Sequence, residues 1–224
     1  MLNLIRFTAL YILTGLLSAQ DLITSKREFT PVDQMLEADW YDSEEIDRTW
    51  RHAVVRRPNA DTDILQSSIE ALADEQYSGM KYPTVIYLHG CTGLWAGSFT
   101  RVEMLADAGY AVIAPNSLAR KKYPKSCDSG TKTGGLYRHT LKMRQQDALN
   151  AIAKAKKLAW VDANNVFVLG FSEGGITVAT MTASMPEHDV NARVIEGWTC
   201  HAGWPEYQGI RARVSEPVMS LVAK

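Results

Sequence analysis

The sequence predicts an α/β fold, a mostly parallel sheet with helices on both faces. Three observations predict it. Short apolar runs rich in β-branched residues, such as Thr84–Leu88 (TVIYL), Ala111–Ala114 (AVIA) and Asn165–Leu169 (NVFVL), fit strands buried on both sides. Segments with helical spacing alternate with these runs, which is the pattern of βαβ units. The composition is that of an ordinary globular domain, with 46% hydrophobic and 22% charged residues among 224. That length suits one medium domain, and neither an internal repeat nor an interior linker marks a second. Lys plus Arg is 24 and Asp plus Glu is 25, a net charge of −1. No basic excess of the kind that phosphate backbones require is present, so nucleic acid is not an expected partner.

Met1 to Ala19 (MLNLIRFTALYILTGLLSA) carries Arg6, then an apolar run, then the small residues Ser18-Ala19. This is the layout of a secretory signal peptide cleaved near Ala19. The run is short for a membrane span, which needs about 20 apolar residues. The alternative is an uncleaved N-terminal anchor. Export implies a secreted or periplasmic protein, no membrane contact after cleavage, and a compartment in which a disulfide persists.

Residues 20–48 are polar and acidic without a clear period, and are expected to form an N-terminal arm before a single α/β domain over 49–224. Thr49–Arg56 (TWRHAVVR) reads as a strand, and Asp63–Ala73 has helix-like spacing at Ile64, Ile69 and Leu72. After the strand Thr84–Leu88, Thr100–Ala108 reads as a helix, with capping-box spacing at Thr100 and Glu103 and a stop at Gly109. Ala111–Ala114 is the next strand. A loop rich in Lys, Ser and Gly spans Asn116–Gly135. A long helix follows over about Tyr137–Ala159, with Leu141, Ala148, Leu149, Ile152, Ala155 and Ala159 on one stripe and Lys142, Arg144, Lys154 and Lys157 left to solvent. Asn165–Leu169 is a buried strand, Gly174–Ala183 a helix, and Val194–Thr199 and Pro217–Val222 two further strands.

The strand Asn165–Leu169 runs into Gly170-Phe171-Ser172-Glu173-Gly174-Gly175, and a helix follows. This is G-x-S-x-G in a strand–turn–helix setting, the nucleophile elbow of α/β-hydrolases. A sharp turn lifts the Ser172 hydroxyl above the sheet edge, and the flanking glycines leave room for neighbouring backbone. The helix aims its free N–H groups at a developing oxyanion, with Glu173 N–H as one donor. Upstream, Thr84–Leu88 ends in His89-Gly90-Cys91-Thr92-Gly93. A loop in that place supplies the other donor, with Cys91 N–H first and Thr92 second. His89 precedes the serine, whereas this fold runs Ser, acid, His, so His89 reads as a structural loop histidine.

YPTVIYLHGCTGLW, GYAVIAPNS and VFVLGFSEGG together resemble the dienelactone hydrolase branch of the α/β-hydrolase superfamily, over about Tyr82 to Val222. The resemblance implies hydrolysis of a carboxylic ester or lactone, a small-molecule substrate and no cofactor. Dienelactone hydrolases proper carry a cysteine nucleophile where this chain has Ser172, a departure that points equally to general esterase chemistry. The resemblance further implies a triad acid just after the strand Pro217–Val222 and a histidine later still. Both are expected beyond Lys224, with another strand and covering helix, so the chain reads as truncated and inactive on its own.

Of the histidines after Ser172, His188 lies more than about 20 Å along the helix at ~1.5 Å per residue. His201 follows the strand beside the nucleophile strand and is the candidate surrogate base. Glu196 reads as a strand residue satisfied locally. Cys91 and Cys127 sit in loops leaving the same sheet edge and are candidates for a disulfide tying the basic loop over the site, with Cys200 odd. The alternative is three free thiols. Arg120, Lys121, Lys122, Lys125 and Lys132 near that loop either steer an anionic substrate or form a solvated surface. No HExxH, zinc spacing, P-loop or dinucleotide fingerprint is present, so no metal is expected. Two functions remain: an exported serine hydrolase, or a non-catalytic ligand-binding protein of the same fold.

Overall fold

A computed structural model describes residues 27–59, 63–198, 200–201 and 203–222. Met1–Ala19, the segment expected to be a leader, lies outside the described residues, as do the first part of the expected arm and Thr199. The chain folds as α1 (Glu37–Trp40), α2 (Ser43–Arg51), β1 (Val54–Asn59), β2 (Asp63–Ser68), α3 (Ile69–Leu72), β3 (Tyr82–Leu88), α4 (Ala96–Asp107), β4 (Ala111–Ala114), a small hairpin β5 (Cys127–Asp128) and β6 (Thr133–Gly134), α5 (Thr140–Ala155), β7 (Val161–Phe171), α6 (Glu173–Thr180), β8 (Arg193–Glu196) and β9 (Val218–Leu221). The main sheet has seven strands in the order β2-β1-β4-β3-β7-β8-β9. β4, β3, β7, β8 and β9 run parallel, and β1 joins antiparallel to both β2 and β4. This is the α/β-hydrolase arrangement.

Alternation along the strands divides the core. Val55, Ile86, Leu88, Ile113, Val166 and Val168 face α5 and α6, meeting Ala148, Ala151, Ile152 and Val178. Val54, Tyr87, Val112 and Ala114 face the other way onto Val102 and Phe99 of α4. Full burial of one such aliphatic side chain stabilises the fold by about 1.5–3 kcal/mol. The apolar runs that look continuous in sequence are therefore two half-cores interleaved.

Several elements differ from the sequence expectation. The segment read as a structureless arm running into a strand at Thr49 contains α2, which carries Thr49–Arg51 as helix and crosses the expected boundary at residue 48. Asp42 caps it, accepting from Glu44 N at 2.9 Å and Glu45 N at 3.2 Å. Glu44 and Glu45 sit in its first turn and Arg48 and Arg51 in its last, complementing the helix dipole. Trp50 anchors it in the main core.

Asp63–Ala73 is a strand before it is a helix, because β2 pairs along β1 from Asn59↔Asp63 to Val54↔Ser68. Tertiary pairing overrides the helical spacing there. Only Ile69–Leu72 are helical, capped by the Ser68 side chain. α4 starts at Ala96, so Thr100 lies inside the helix, its hydroxyl donating to Ala96 O at 3.2 Å, and the capping box does not form. Gly109 does end it, at φ 96°. α5 starts at Thr140, where the Thr140 hydroxyl donates to Tyr137 O at 2.8 Å. Arg144, assigned to solvent by the helical stripe, is buried with 1% exposure.

Among the described residues β9 pairs with β8 alone, and all of its residues are exposed. It is held at its entry by a buried ion pair. Arg193 of β8 bonds Glu216 and also donates to Val178 O and Met181 O, both at 2.7 Å.

Candidate active site

β7 and α6 meet at Ser172, whose backbone stands at φ 55°, ψ −116°. A non-glycine residue there costs about 1–3 kcal/mol and persists only when its surroundings enforce it. They do so here. Ser172 N–H donates to Glu196 O at 2.8 Å, and Ser172 O accepts from Ile176 N at 3.0 Å, the first bond into α6. The flanking glycines are required by close approach. A Cβ on Gly170 would lie 2.8 Å from Gly175 N, and one on Gly174 would lie 2.7 Å from His89 O. The nucleophile strand, its helix and the end of β3 touch backbone to backbone.

β3 delivers the second loop. Gly90 and Gly93 bridge across it, and Gly93 N–H donates to Gly90 O at 3.2 Å. Cys91 is bonded to Cys127 as a disulfide with Cα atoms 5.9 Å apart, tying the loop to the β5–β6 hairpin. Cys200 is a free thiol. Cys91, Cys127, Leu141, Ser172, Glu173 and Trp204 line a narrow cleft of about 90 Å³. The structure thus brings together Ser172, Glu173 and Cys91. Thr92, the second-choice donor, instead lines a larger cavity of about 410 Å³ with Arg48, His52 and Asn116, and Ser172 is not part of its wall.

His89 is fully buried, its Nε2 accepting from Ser117 N at 3.2 Å and its Nδ1 lying 2.6 Å from Gly90 O. Both ring nitrogens serve the fold. Burial, and then the neighbouring Arg144 guanidinium, push its pKa down to about 3, so it stays neutral near pH 7. His188 ends a short turn beyond α6. His201 is exposed, in the segment that leads to the cleft residue Trp204. Glu196 is taken by Arg101, with Nε to Oε2 at 2.8 Å, and that guanidinium stacks 4.2 Å from the Phe171 ring.

The basic loop is largely compensated. Arg120 is buried against Asp147 at 2.7 Å, Lys122 pairs with Asp39 at 3.1 Å, and Lys125 pairs with Asp128 at 2.6 Å. Among the described residues no group of three or more His, Cys, Asp or Glu is placed to hold a metal ion. None of their helices is long and apolar enough to cross a membrane.

Sequence reasoning missed two features of the site. Trp204 closes the cleft, and its indole lies where a Gly135 side chain would stand, with Cε2 3.1 Å from a Cβ built there. Nothing in local sequence points to it. Arg144 reaches under the elbow from α5, its Nη1 2.8 Å from Glu173 Oε1 and its Nη2 donating to His89 O. A signal for Arg144 did exist: Leu141, Arg144 and Ala148 follow the i, i+3, i+7 spacing of the buried stripe.

Comparison with solved structures finds a Klebsiella pneumoniae protein assigned to the dienelactone hydrolases, at 18% identity and a TM-score of 0.46, covering 75% of this chain and 71% of that one. Est1E from Butyrivibrio proteoclasticus is similar at 19% identity and a TM-score of 0.41, over 64% of this chain and 45% of its own. A dienelactone hydrolase-like promiscuous phosphotriesterase from metagenomic libraries is similar at 26% identity and a TM-score of 0.40, over 54% and 49%. The chain thus spans about half the length of the latter two. No match was found among curated proteins. A model of the dienelactone hydrolase family matches residues 69–195, more than half of the chain and the stretch that holds both loops and the elbow, and the chain therefore belongs to that family.

Proposed function

We propose that this protein is an exported serine hydrolase of carboxylic esters or lactones that works through an acyl-serine at Ser172. The observation that carries the reading is the strained Ser172 backbone, held between Gly170 and Gly174 at the start of α6. In this reading the Ser172 oxygen attacks the ester carbonyl, and the carbonyl oxygen becomes an oxyanion. The N–H groups of Glu173 and Cys91 receive that charge. The Ser172 hydroxyl proton passes to the departing oxygen, which leaves as an alcohol or as the freed hydroxyl of an opened lactone, and water then adds to the acyl-serine, returning a proton to Ser172 and releasing the acid. The narrow cleft, walled by Leu141, Ile176 and Trp204, suits a short acyl group.

Export is part of the same proposal. It is supported by the leader-like segment Met1–Ala19 and by a disulfide of a kind that persists in oxidising compartments. Fractionation with N-terminal sequencing tests it: recovery from the medium or periplasm with an N-terminus near Gln20 supports export, and recovery from the cytosol with Met1 intact overturns it.

A fluorophosphonate probe tests the chemistry. Labelling that disappears in Ser172→Ala supports the nucleophile. One observation favours a second reading, a binding protein of this fold: His89, packed beneath the elbow, has both ring nitrogens committed to the backbone groups Ser117 N and Gly90 O. A histidine held in that way does not take the Ser172 proton, and on this second reading turnover of simple activated esters is slow. A Ser172→Ala-sensitive rate typical of esterases would contradict that expectation, and no labelling at all would favour the binding reading.

A further inference from the structure

Glu173 stands next to the nucleophile, and its own N–H is one of the two oxyanion donors. Its carboxylate is buried, with 9% of the side chain exposed. A bare carboxylate there would oppose the negative charge that grows on the substrate oxygen, because the surrounding dielectric is low. The structure answers that charge with one residue. Arg144 rises from α5, itself 1% exposed, with Nη1 2.8 Å from Glu173 Oε1. Its Nη2 donates to the carbonyl of His89, the residue that opens the loop bearing Cys91. One rigid fork therefore touches both donor loops. The other groups facing this pair are the Tyr123 hydroxyl, His89 and the Arg120–Asp147 pair, itself a compensated couple.

We propose that Arg144 is the positioning residue of the oxyanion hole. It cancels the Glu173 charge and fixes the spacing between the elbow and the Cys91 loop. The proposal rests on the reading of Ser172 as nucleophile. It makes no contact claim between Arg144 and substrate, since Arg144 acts through Glu173 and His89.

The test compares four forms of the full chain: unsubstituted, Arg144→Gln, Arg144→Lys, and the double variant Arg144→Gln/Glu173→Gln. The readouts are the rate of fluorophosphonate labelling at Ser172, kcat and KM on an activated ester, and the thermal midpoint. Removing one oxyanion donor costs about 10²–10³ in rate, so misplacing donors beside a bare carboxylate is expected to slow Arg144→Gln by about tenfold or more. The loss is expected in kcat, with KM little changed. Arg144→Lys keeps the charge and is expected to retain most of the rate. The double variant restores a neutral, hydrogen-bonding pair of similar size and is expected to regain most of what Arg144→Gln lost. A scaffold role alone would not produce that rescue.

A folded Arg144→Gln that labels at the unsubstituted rate overturns the proposal. So does a double variant no faster than the single one. Should Arg144→Gln fail to fold, Arg144→Lys and the double variant carry the test, and slow labelling of both in folded form overturns it. Absence of labelling in the unsubstituted chain, by contrast, overturns the nucleophile reading and the proposal together.

Discussion

Removing the Cys91–Cys127 bridge should weaken the fold by an amount that can be worked out in advance. The bridged residues are 36 apart in sequence. The loop-closure entropy of a cross-link of that span corresponds to about 3.8 kcal/mol at 25 °C, acting by restricting the unfolded chain. Against a usual total of about 5–15 kcal/mol, that is a quarter or more of the stability. For a domain of this size it converts to a fall of about 8–15 °C in Tm.

The perturbation is Cys91→Ala/Cys127→Ala, compared with the unsubstituted protein with and without reductant. Urea unfolding by far-UV circular dichroism gives the free-energy difference, and a matched m-value confirms that the native surface is unchanged. Cys200 remains free in every sample, so it cancels. The reduced protein and the double variant should unfold together, both well below the oxidised form. A second readout is local. The bridge carries the hairpin wall of the cleft, so ester turnover should fall in the double variant at temperatures where it is still folded. Unfolding curves that coincide within about 0.5 kcal/mol would refute the reasoning. So would thiol titration that finds all three cysteines reactive in unreduced protein.

Gly174→Ala places a methyl 2.7 Å from the His89 carbonyl oxygen, a backbone atom that cannot swing away. A loss of about 1–3 kcal/mol is expected in urea unfolding, together with slower labelling of Ser172. Glu216→Gln removes the negative charge that faces the Arg193 guanidinium, itself 1% exposed, and leaves only a neutral amide beside it. That change is expected to cost about 3–5 kcal/mol, read as a drop in the urea midpoint. His89 has a folded-state pKa near 3 against an ordinary value of 6.5, so between those values the unfolded chain binds the proton that the folded chain refuses. Its contribution is therefore complete above pH 6.5 and is lost as pH falls, by about 3 kcal/mol at pH 4. Urea midpoints across pH 4–7 should slope less steeply for His89→Gln than for the unsubstituted protein, and parallel slopes would contradict the assignment.

The parallel sheet and the elbow were legible because they rest on local rules. Thr84–Leu88, Ala111–Ala114 and Asn165–Leu169 are apolar on both faces, and only a doubly covered strand tolerates that. Gly170 and Gly174 are spaced as a tight strand-to-helix crossing requires, and both prove to be in backbone contact. Asp63–Ser68 was misread because its partner, β1, is specified by the pairing and not by its own spacing. α2 was missed because its helix signals are polar: the Asp42 cap, two glutamates at the start and two arginines at the end. Reading a charged stretch as solvated discards that information.

Arg144 is the sharpest instance of the same error. Helical periodicity counts an arginine as a vote for solvent, but the buried stripe of α5 contains Arg144 and Asp147 as well as Leu141 and Ala148. The strained turn at Ser172 explains why charges belong there. Strain of about 1–3 kcal/mol relaxes unless the backbone on each side is immobilised. Apolar contacts are non-directional and tolerate small shifts, whereas a guanidinium bonded to both a carboxylate and a carbonyl allows one arrangement. Arg144 joins the elbow to the β3 loop, Arg120 and Asp147 join the β4 loop to α5, and Arg193 and Glu216 hold β9 to β8 and the end of α6. Arg144–Glu173 and Arg120–Asp147 thus cross-link the carboxyl-end edge of the parallel strands, where the donors must be fixed, while Arg193–Glu216 ties the opposite, amino ends of β8 and β9.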